Sequence, residues 1–332
     1  MRYIIIGAGA VGGTIGGCLF QGGHDVVLVA RGPHLDALRA HGLRLATPAG
    51  TYQLGIRAVG GPAEVGLREG DVLILAVKGQ HTAALLAEWA WQPAGAGTVA
   101  AETVPIVCAQ NGVANEGFAL RLFRQVYGMC VWLPATHLEP GMVESQGTPL
   151  AGMLPVGRYP SGAGPVIERI GADLASSRFL APVSDDVMRW KYGKLLSNLG
   201  NSIEALCGRE ALHGDDGREL RHRTRAEALA VFAAVGIGYA SEDEIMAARG
   251  GQVRAGEVNG SARAGGSSWQ SLSRGTGTIE ADFLNGEIVL LGREHGVPAL
   301  LNATLQRLAN QAAREREAPG SITPAEILSL AT

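Results

Sequence analysis

The sequence predicts an α/β protein of two parts, with a doubly wound parallel sheet over residues 1–182 and a mainly α-helical domain over 183–332. Three observations predict it. The apolar run Tyr3-Ile4-Ile5-Ile6 leads into the turn Gly7-Ala8-Gly9-Ala10-Val11-Gly12. Further apolar runs of strand length recur at the spacing of β-α-β units. From Asp185 onward the apolar residues change to helical spacing. A chain of 332 residues exceeds one ordinary core. Its 46% hydrophobic content and net charge of -3 suit two globular domains and give no sign of a nucleic-acid partner.

The first element is a strand ending in a G-x-G-x-x-G fingerprint, the signature of a Rossmann-type dinucleotide-binding sheet. Gly7 allows the tight turn, Gly9 lets backbone approach a pyrophosphate, and Gly12 lets the next helix lie close to the sheet. Ala8, Ala10 and Val11 complete the loop, and the helix N-terminus supplies N–H groups and partial positive charge for the phosphates. A membrane anchor or signal peptide competes for the segment, because Tyr3 to His24 carries no formal charge and follows Arg2. Interior glycines penalise such a helix by about 1 kcal/mol each. The second strand, Val26 to Val29, follows at β-α-β spacing, and no other stretch is long and apolar enough to span a bilayer.

The end of that second strand reads Val27-Leu28-Val29-Ala30-Arg31-Gly32. An acid here would accept from a ribose 2′-hydroxyl. Arg31 stands instead, a planar cation suited to a 2′-phosphate, so the expected cofactor is NADP(H). Two further buried strands follow, Asp71 to Val77 and Val104 to Ala109. At their carboxyl ends, where open α/β sheets bind ligands, lie Lys78-Gly79-Gln80 and Gln110-Asn111-Gly112. Lys78 could steer an anionic group and Asn111 could hydrogen-bond cofactor or substrate, although Asn-Gly is also a common turn pair. Pro134 to Pro182 reads as turns and strands.

In the second domain Trp190, Leu195, Leu196, Leu199, Ile203 and Leu206 recur at helical spacing, with Cys207-Gly208 as a stop. Lys194 and Asn198 share one face of that helix, with Asn201 and Ser202 one turn on. A lysine there could give a proton to a carbonyl oxygen while amides orient a carboxylate. An exposed polar stripe is the plainer alternative, and Lys191 is a rival for the acid role. Gly256 to Thr278 has the composition of a linker. Thr278 is expected to cap a helix with the apolar stripe Ile279, Phe283, Leu284, Ile288 and Leu291, placing Glu280 in its first turn. The tail reads as an amphipathic helix over 301–317 and a capping box, Thr323-Pro324-Ala325-Glu326. Apolar helices here could form an internal core or a homodimer interface.

Cys18, Cys108, Cys130 and Cys207 lie far apart with no C-x-x-C pair. That pattern suits a reducing cytoplasm and offers no metal-site spacing.

Together these segments resemble the ketopantoate reductases (2-dehydropantoate 2-reductases) over nearly the whole chain. The resemblance rests on Gly7 to Gly12, Arg31, Lys78, Gln110-Asn111-Gly112, the run Trp190 to Asn198, Ser267-Ser268, and Glu280, Asp282 and Asn285-Gly286. It implies NADPH-dependent reduction of a 2-keto acid, with ketopantoate reduction in pantothenate and coenzyme A synthesis as the leading assignment. By the same resemblance Lys194 is the general acid and Asn111 positions nicotinamide and lysine. Asn198 and Ser268, with Ser202, bind substrate; Glu280 hydrogen-bonds the reacting hydroxyl or supports the lysine; Lys78 lines the cleft. The chain departs from the family pattern at Ser202, at Trp269, Ser271 and Leu272, and in Ile279-Glu280-Ala281-Asp282. A relative acting on another 2-oxo acid and an NADP(H)-binding sensor are the alternatives.

Overall fold

The computed structural model describes residues 1–261 and 265–331. By compactness they fall into two units. The first comprises Met1–Gln110, Ala114–Lys191 and the stretch beginning at Ser241; the second comprises Asn111–Val113, Tyr192–Ala240 and the described residues from Gly265 on.

The first unit opens with β1 (Arg2–Ile6), α1 (Ala10–Gln21), β2 (Asp25–Val29) and α2 (Gly32–His41). A hairpin of β3 (Leu43–Thr47) and β4 (Gly50–Leu54) precedes β5 (Arg57–Val59), β6 (Asp71–Leu75) and α3 (Thr82–Ala90). Then come α4 (Ala100–Thr103), β7 (Ile106–Cys108), α5 (Asn115–Leu120) and β8 (Val126–Met129). Short strands β9 (Ala135–Thr136), β10 (Met142–Ser145), β11 (Gly147–Pro149), β12 (Gly152–Met153) and β13 (Val156–Arg158) lead to α6 (Pro165–Ser176) and β14 (Phe179–Leu180).

The large sheet has the order β13-β8-β7-β6-β1-β2-β5. Every neighbouring pair is parallel except β13 with β8. Strand order reverses beside β1, and such a reversal opens a crevice at the carboxyl edge. The doubly wound sheet expected from the sequence is therefore present. Arg2, which an anchor would need as a flanking charge, is instead buried in a two-point ion pair with Asp71, at 2.9 and 2.6 Å.

Helix α1 is apolar on all sides because it is covered on both. On one face a Cβ at Gly12 would stand 2.1 Å from the Gly7 carbonyl oxygen. On the other, a Cβ at Gly17 would stand 2.9 Å from Leu45, in a second sheet of order β4-β3-β10-β9. Close approach on opposite faces explains the repeated glycines that make this helix weak by propensity. Helix α6 corrects the expectation of turns and strands only. Pro165 starts it at the first turn, and Ile167, Ile170 and Leu174 are buried at helical spacing.

The second unit is helical. Helix α7 (Val187–Asn198) crosses from the first unit into it, followed by α8 (Gly200–Cys207) and α9 (Asp215–Val235). The chain returns to the first unit with α10 (Glu242–Arg249) and β15 (Val253–Ala255), which pairs antiparallel with β11. It ends in α11 (Ser267–Ser273), α12 (Asn285–His295), α13 (Leu300–Glu315) and α14 (Pro324–Leu330). The expected capping box is formed: Glu326 N–H donates to Thr323 Oγ1 at 3.3 Å, and Thr323 N–H to Glu326 Oε2 at 2.8 Å.

Two helix expectations are corrected. The run through Leu206 is interrupted at Leu199, so α7 and α8 are separate helices. Thr278 caps no α-helix: a single tight turn, Ala281–Phe283, follows Glu280, and Leu284 at φ -118° and ψ -90° delays α12 until Asn285. The cause is tertiary. Asn285 accepts from Ser202 Oγ at 2.7 Å and donates to Asn302 Oδ1 at 3.1 Å, which fixes the start of α12 inside the core.

Residues 262–264 of the glycine- and serine-rich stretch lie outside the described residues. All four cysteines are buried thiols with no disulfide among the described residues, and burial pushes the Cys18 thiol up to about 11 and the Cys207 thiol up to about 12. No helix among the described residues is long and apolar enough to cross a membrane.

Candidate active site

The glycine turn between β1 and α1 leaves its backbone open on one side. Gly7 has φ +99°, and a Cβ there would stand 2.6 Å from Val77, so this turn requires glycine. Gly7 and Ala8 both donate their N–H groups to the Val29 carbonyl, at 3.1 Å each. Gly9 differs: a Cβ there would meet only His137, at 4.0 Å. The protein's own packing gives little reason for glycine at position 9, which agrees with a ligand approaching that backbone. No side chain among the described residues caps α1, so its first-turn N–H groups, from Ala10 and Val11 to Gly12, are open to an outside acceptor.

His34 on α2 holds the loop from behind. Its Nδ1 accepts from the Gly141 N–H at 2.8 Å, so Nε2 carries the proton and donates to the Ala8 carbonyl at 2.8 Å. Burial lowers its pKa, against the bond to Ala8, which raises it. The neutral ring is therefore favoured in the fold. Its stabilising contribution is complete above the ordinary imidazole range, near pH ~6.5, and is lost as pH falls through the depressed folded value. Between about pH 7.5 and 5.5, roughly one unit either side of that range, the urea midpoint should fall more for the parent protein than for His34→Gln. Equal losses would remove the role.

Beside the loop lies a cavity of about 280 Å³, lined by Gly7, Ala30, Arg31, His81, Leu85 and Glu88 among others. Arg31 is exposed at its mouth, and its Nη2 pairs with Glu88 Oε2 at 3.0 Å. Burial, then the charges of Lys78 and Arg31, lower the pKa of His81. Lys78 is half-buried and opens the short turn Gly79–His81, its carbonyl accepting from the His81 N–H at 2.9 Å. Gln110 secures this corner by donating to the Val77 carbonyl at 2.9 Å and to Thr82 Oγ1 at 2.8 Å. Thr82 in turn donates to Asn115 Oδ1 at 2.7 Å.

The helical unit carries the remaining candidates. Asn111 and Gly112 group with it; Gly112 has φ +78°, and a Cβ there would stand 2.7 Å from the Phe283 carbonyl oxygen. Lys194 is half-buried on α7, one turn before Asn198. Asn198 is buried, and its Nδ2 has no hydrogen-bond partner among the described residues. Ser268, buried in α11, has an Oγ without a partner among the described residues as well. Helices α8 and α11 meet where the Gly266 N–H donates to Glu204 Oε2 at 3.0 Å and Asn201 Nδ2 to Ser267 Oγ at 3.4 Å. Glu280 is buried at the tight turn before α12.

Two expectations change on this geometry. Ser202 is fully buried and gives its proton to Asn285 Oδ1, which ties α8 to α12. Lys191 is 2% exposed and forms an ion pair with the fully buried Glu116 in the first unit, which removes it as rival proton donor. Trp269 packs its ring against Gly265, where a Cβ would stand 2.6 Å from it.

Sequence reasoning missed His34, Glu88 and the Ser202-Asn285-Asn302 chain. Only Glu88 left a usable signal: His81, Leu85 and Glu88 recur at helical spacing. The others act through partners distant in sequence.

The family model described as ketopantoate reductase PanE/ApbA matches residues 3–159, and its C-terminal counterpart matches residues 186–313. The chain belongs to the ketopantoate reductase family. It is accordingly an oxidoreductase acting on a CH–OH group with a nicotinamide dinucleotide.

A 2-dehydropantoate 2-reductase from Archaeoglobus fulgidus is 28% identical over 312 residues, covering 92% of this chain and 96% of that protein. One from Pyrococcus horikoshii is 29% identical over 198 residues, so the match spans 60% of this chain and only 61% of that relative. Among solved structures, a PanE/ApbA family ketopantoate reductase from Ralstonia eutropha JMP134 superposes with a TM-score of 0.77 at 27% identity, covering 96% of this chain and 100% of that one. A D-mandelate dehydrogenase, solved with NADH and anilino(oxo)acetate, has a TM-score of 0.80 over 96% of this chain and 100% of its own. Its 20% identity makes it a likeness of fold.

Proposed function

We propose that this member of the ketopantoate reductase family reduces a 2-keto acid with NADPH. The leading substrate is ketopantoate, reduced to pantoate in the cytoplasmic synthesis of pantothenate and coenzyme A. The observation that carries the reading is on α7. Lys194 and Asn198 lie one turn apart, and the Asn198 amide is buried with an N–H donor that nothing among the described residues satisfies. Burying such a donor unpaired costs about 1–3 kcal/mol, so an outside acceptor such as a carboxylate or carbonyl oxygen is the natural complement.

The first unit suits the dinucleotide: open backbone at Gly9, uncapped N–H groups from Ala10 to Gly12, and Arg31 in place of an acid after β2. Residues up to 182 would hold it, with Lys78, Asn111 and Glu280 contributing, and residues from 183 would supply the groups for substrate. When bound, the nicotinamide would supply the hydride that reduction of a 2-keto acid needs. The chain's own part is the proton. Lys194 Nζ gives one to the carbonyl oxygen as negative charge develops, leaving a 2-hydroxy acid and a neutral amine that solvent reprotonates. Asn198 Nδ2 and Ser268 Oγ hold the substrate's oxygens, and Asn111 and Glu280 orient the lysine and the new hydroxyl.

The test follows NADPH absorbance with ketopantoate beside a panel of 2-keto acids, repeated with NADH. Oxidation of NADPH with ketopantoate ahead of the panel is expected. Preference for another acid would keep the chemistry and overturn the substrate. NADPH binding without turnover of any acid would favour a sensor.

A further inference from the structure

We infer that Glu88 is a specificity-determining residue that sets how strongly this protein prefers NADPH over NADH. The inference rests on the proposed reading of the first unit as the dinucleotide site. The sequence after β2 offers Arg31 and no acid, yet the fold brings an acid to the same place from α3. Glu88 Oε2 stands 3.0 Å from Arg31 Nη2. Both side chains line the cavity beside Gly7, and Glu88 is the only acid among its described lining residues. Glycine at position 61 gives the carboxylate room: a Cβ there would stand 3.3 Å from Glu88 Oε1.

The pair is exposed, 68% for the Arg31 side chain and 40% for that of Glu88. Exposed ion pairs of this kind are weak, so Arg31 can leave Glu88 for a better anion. A ribose 2′-phosphate is such an anion, with bidentate geometry for the guanidinium. On binding it would nonetheless sit close to the Glu88 charge. A ribose 2′-hydroxyl meets the opposite situation, because a carboxylate is the acceptor it needs. Glu88 therefore disfavours the phosphate, favours the hydroxyl, and narrows the preference that Arg31 alone would impose. His81, in the turn that precedes α3 and in the lining of the same cavity, has its pKa lowered by burial and by the nearby cations, so it adds little charge to offset Glu88 near neutral pH.

Dissociation constants for NADPH and NADH should be measured by fluorescence titration on the full-length protein, Glu88→Gln and Arg31→Ala. Glutamine keeps the shape and removes the charge, so folding should be preserved, and a matched urea midpoint checks that. At separations of about 5 Å in a hydrated site, the lost repulsion should raise the NADPH-over-NADH affinity ratio roughly tenfold. The gain should shrink at high salt. A ratio in Glu88→Gln within twofold of the parent's, with the ratio collapsing in Arg31→Ala, overturns the role of Glu88 and leaves the NADPH reading standing. A ratio that Arg31→Ala leaves unchanged removes Arg31 as phosphate reader, and the inference about Glu88 falls with it.

Discussion

Lys194→Ala is expected to lower kcat about 10²- to 10⁴-fold, the usual contribution of a positioned general acid, while NADPH binds with little change. The residue is half-buried on α7, one turn from the buried and unsatisfied Asn198 amide, and outside the glycine loop. Its loss should therefore leave both the nucleotide site and the core intact. Single-turnover kinetics against cofactor titration separates the two effects. A variant with near-normal kcat would hand the proton to solvent and remove Lys194 from the mechanism. Weakened NADPH binding with unchanged kcat would make the lysine a cofactor ligand instead.

The second large effect concerns the neighbouring lysine and has the opposite character. Lys191→Ala is expected to destabilise the protein by about 3–5 kcal/mol, because it leaves the Glu116 carboxylate buried without its partner. Glu116 has no exposed surface, and its Oε2 already lacks a hydrogen-bond partner among the described residues. Stability should return in Lys191→Met combined with Glu116→Leu, where apolar groups of similar volume replace both charges. Urea unfolding of the single and double variants provides the measurement. A Lys191→Ala protein with the parent's midpoint would mean that the pair is dispensable. Two lysines three positions apart on one helix thus predict different losses, one of turnover and one of folding.

Much of this was legible in the sequence because it is written locally. The glycine turn is a short-range demand: Gly7 needs positive φ and Gly12 lies against the Gly7 carbonyl oxygen. The strands declare themselves as unbroken apolar runs, and the last capping box lies within four consecutive residues. Helix α6 was equally local, with Pro165 and buried Ile167, Ile170 and Leu174. The glycines and prolines around it masked the pattern.

Asn285-Gly286 shows the limit of motif reading. The pair belongs to the family resemblance, yet the structure commits Asn285 to Ser202, Asn302 and the Leu199 carbonyl, a junction between helices. A motif residue can be kept for packing as readily as for chemistry.

By itself the sequence determined the fold class, the position of the nucleotide turn, and the helix face that carries Lys194 and Asn198. Each follows from spacing within one element, through the 3.6-residue turn or the two-residue pleat. Only the tertiary structure decided that Lys191 belongs to Glu116, 75 residues away, Ser202 to Asn285, 83 away, and Arg31 to Glu88, 57 away. Those choices depend on which elements pack together. A side chain's local periodicity sets the face it occupies, while the burial and charge of whatever meets that face determine whether it stabilises the core, reads a phosphate or is available to give a proton.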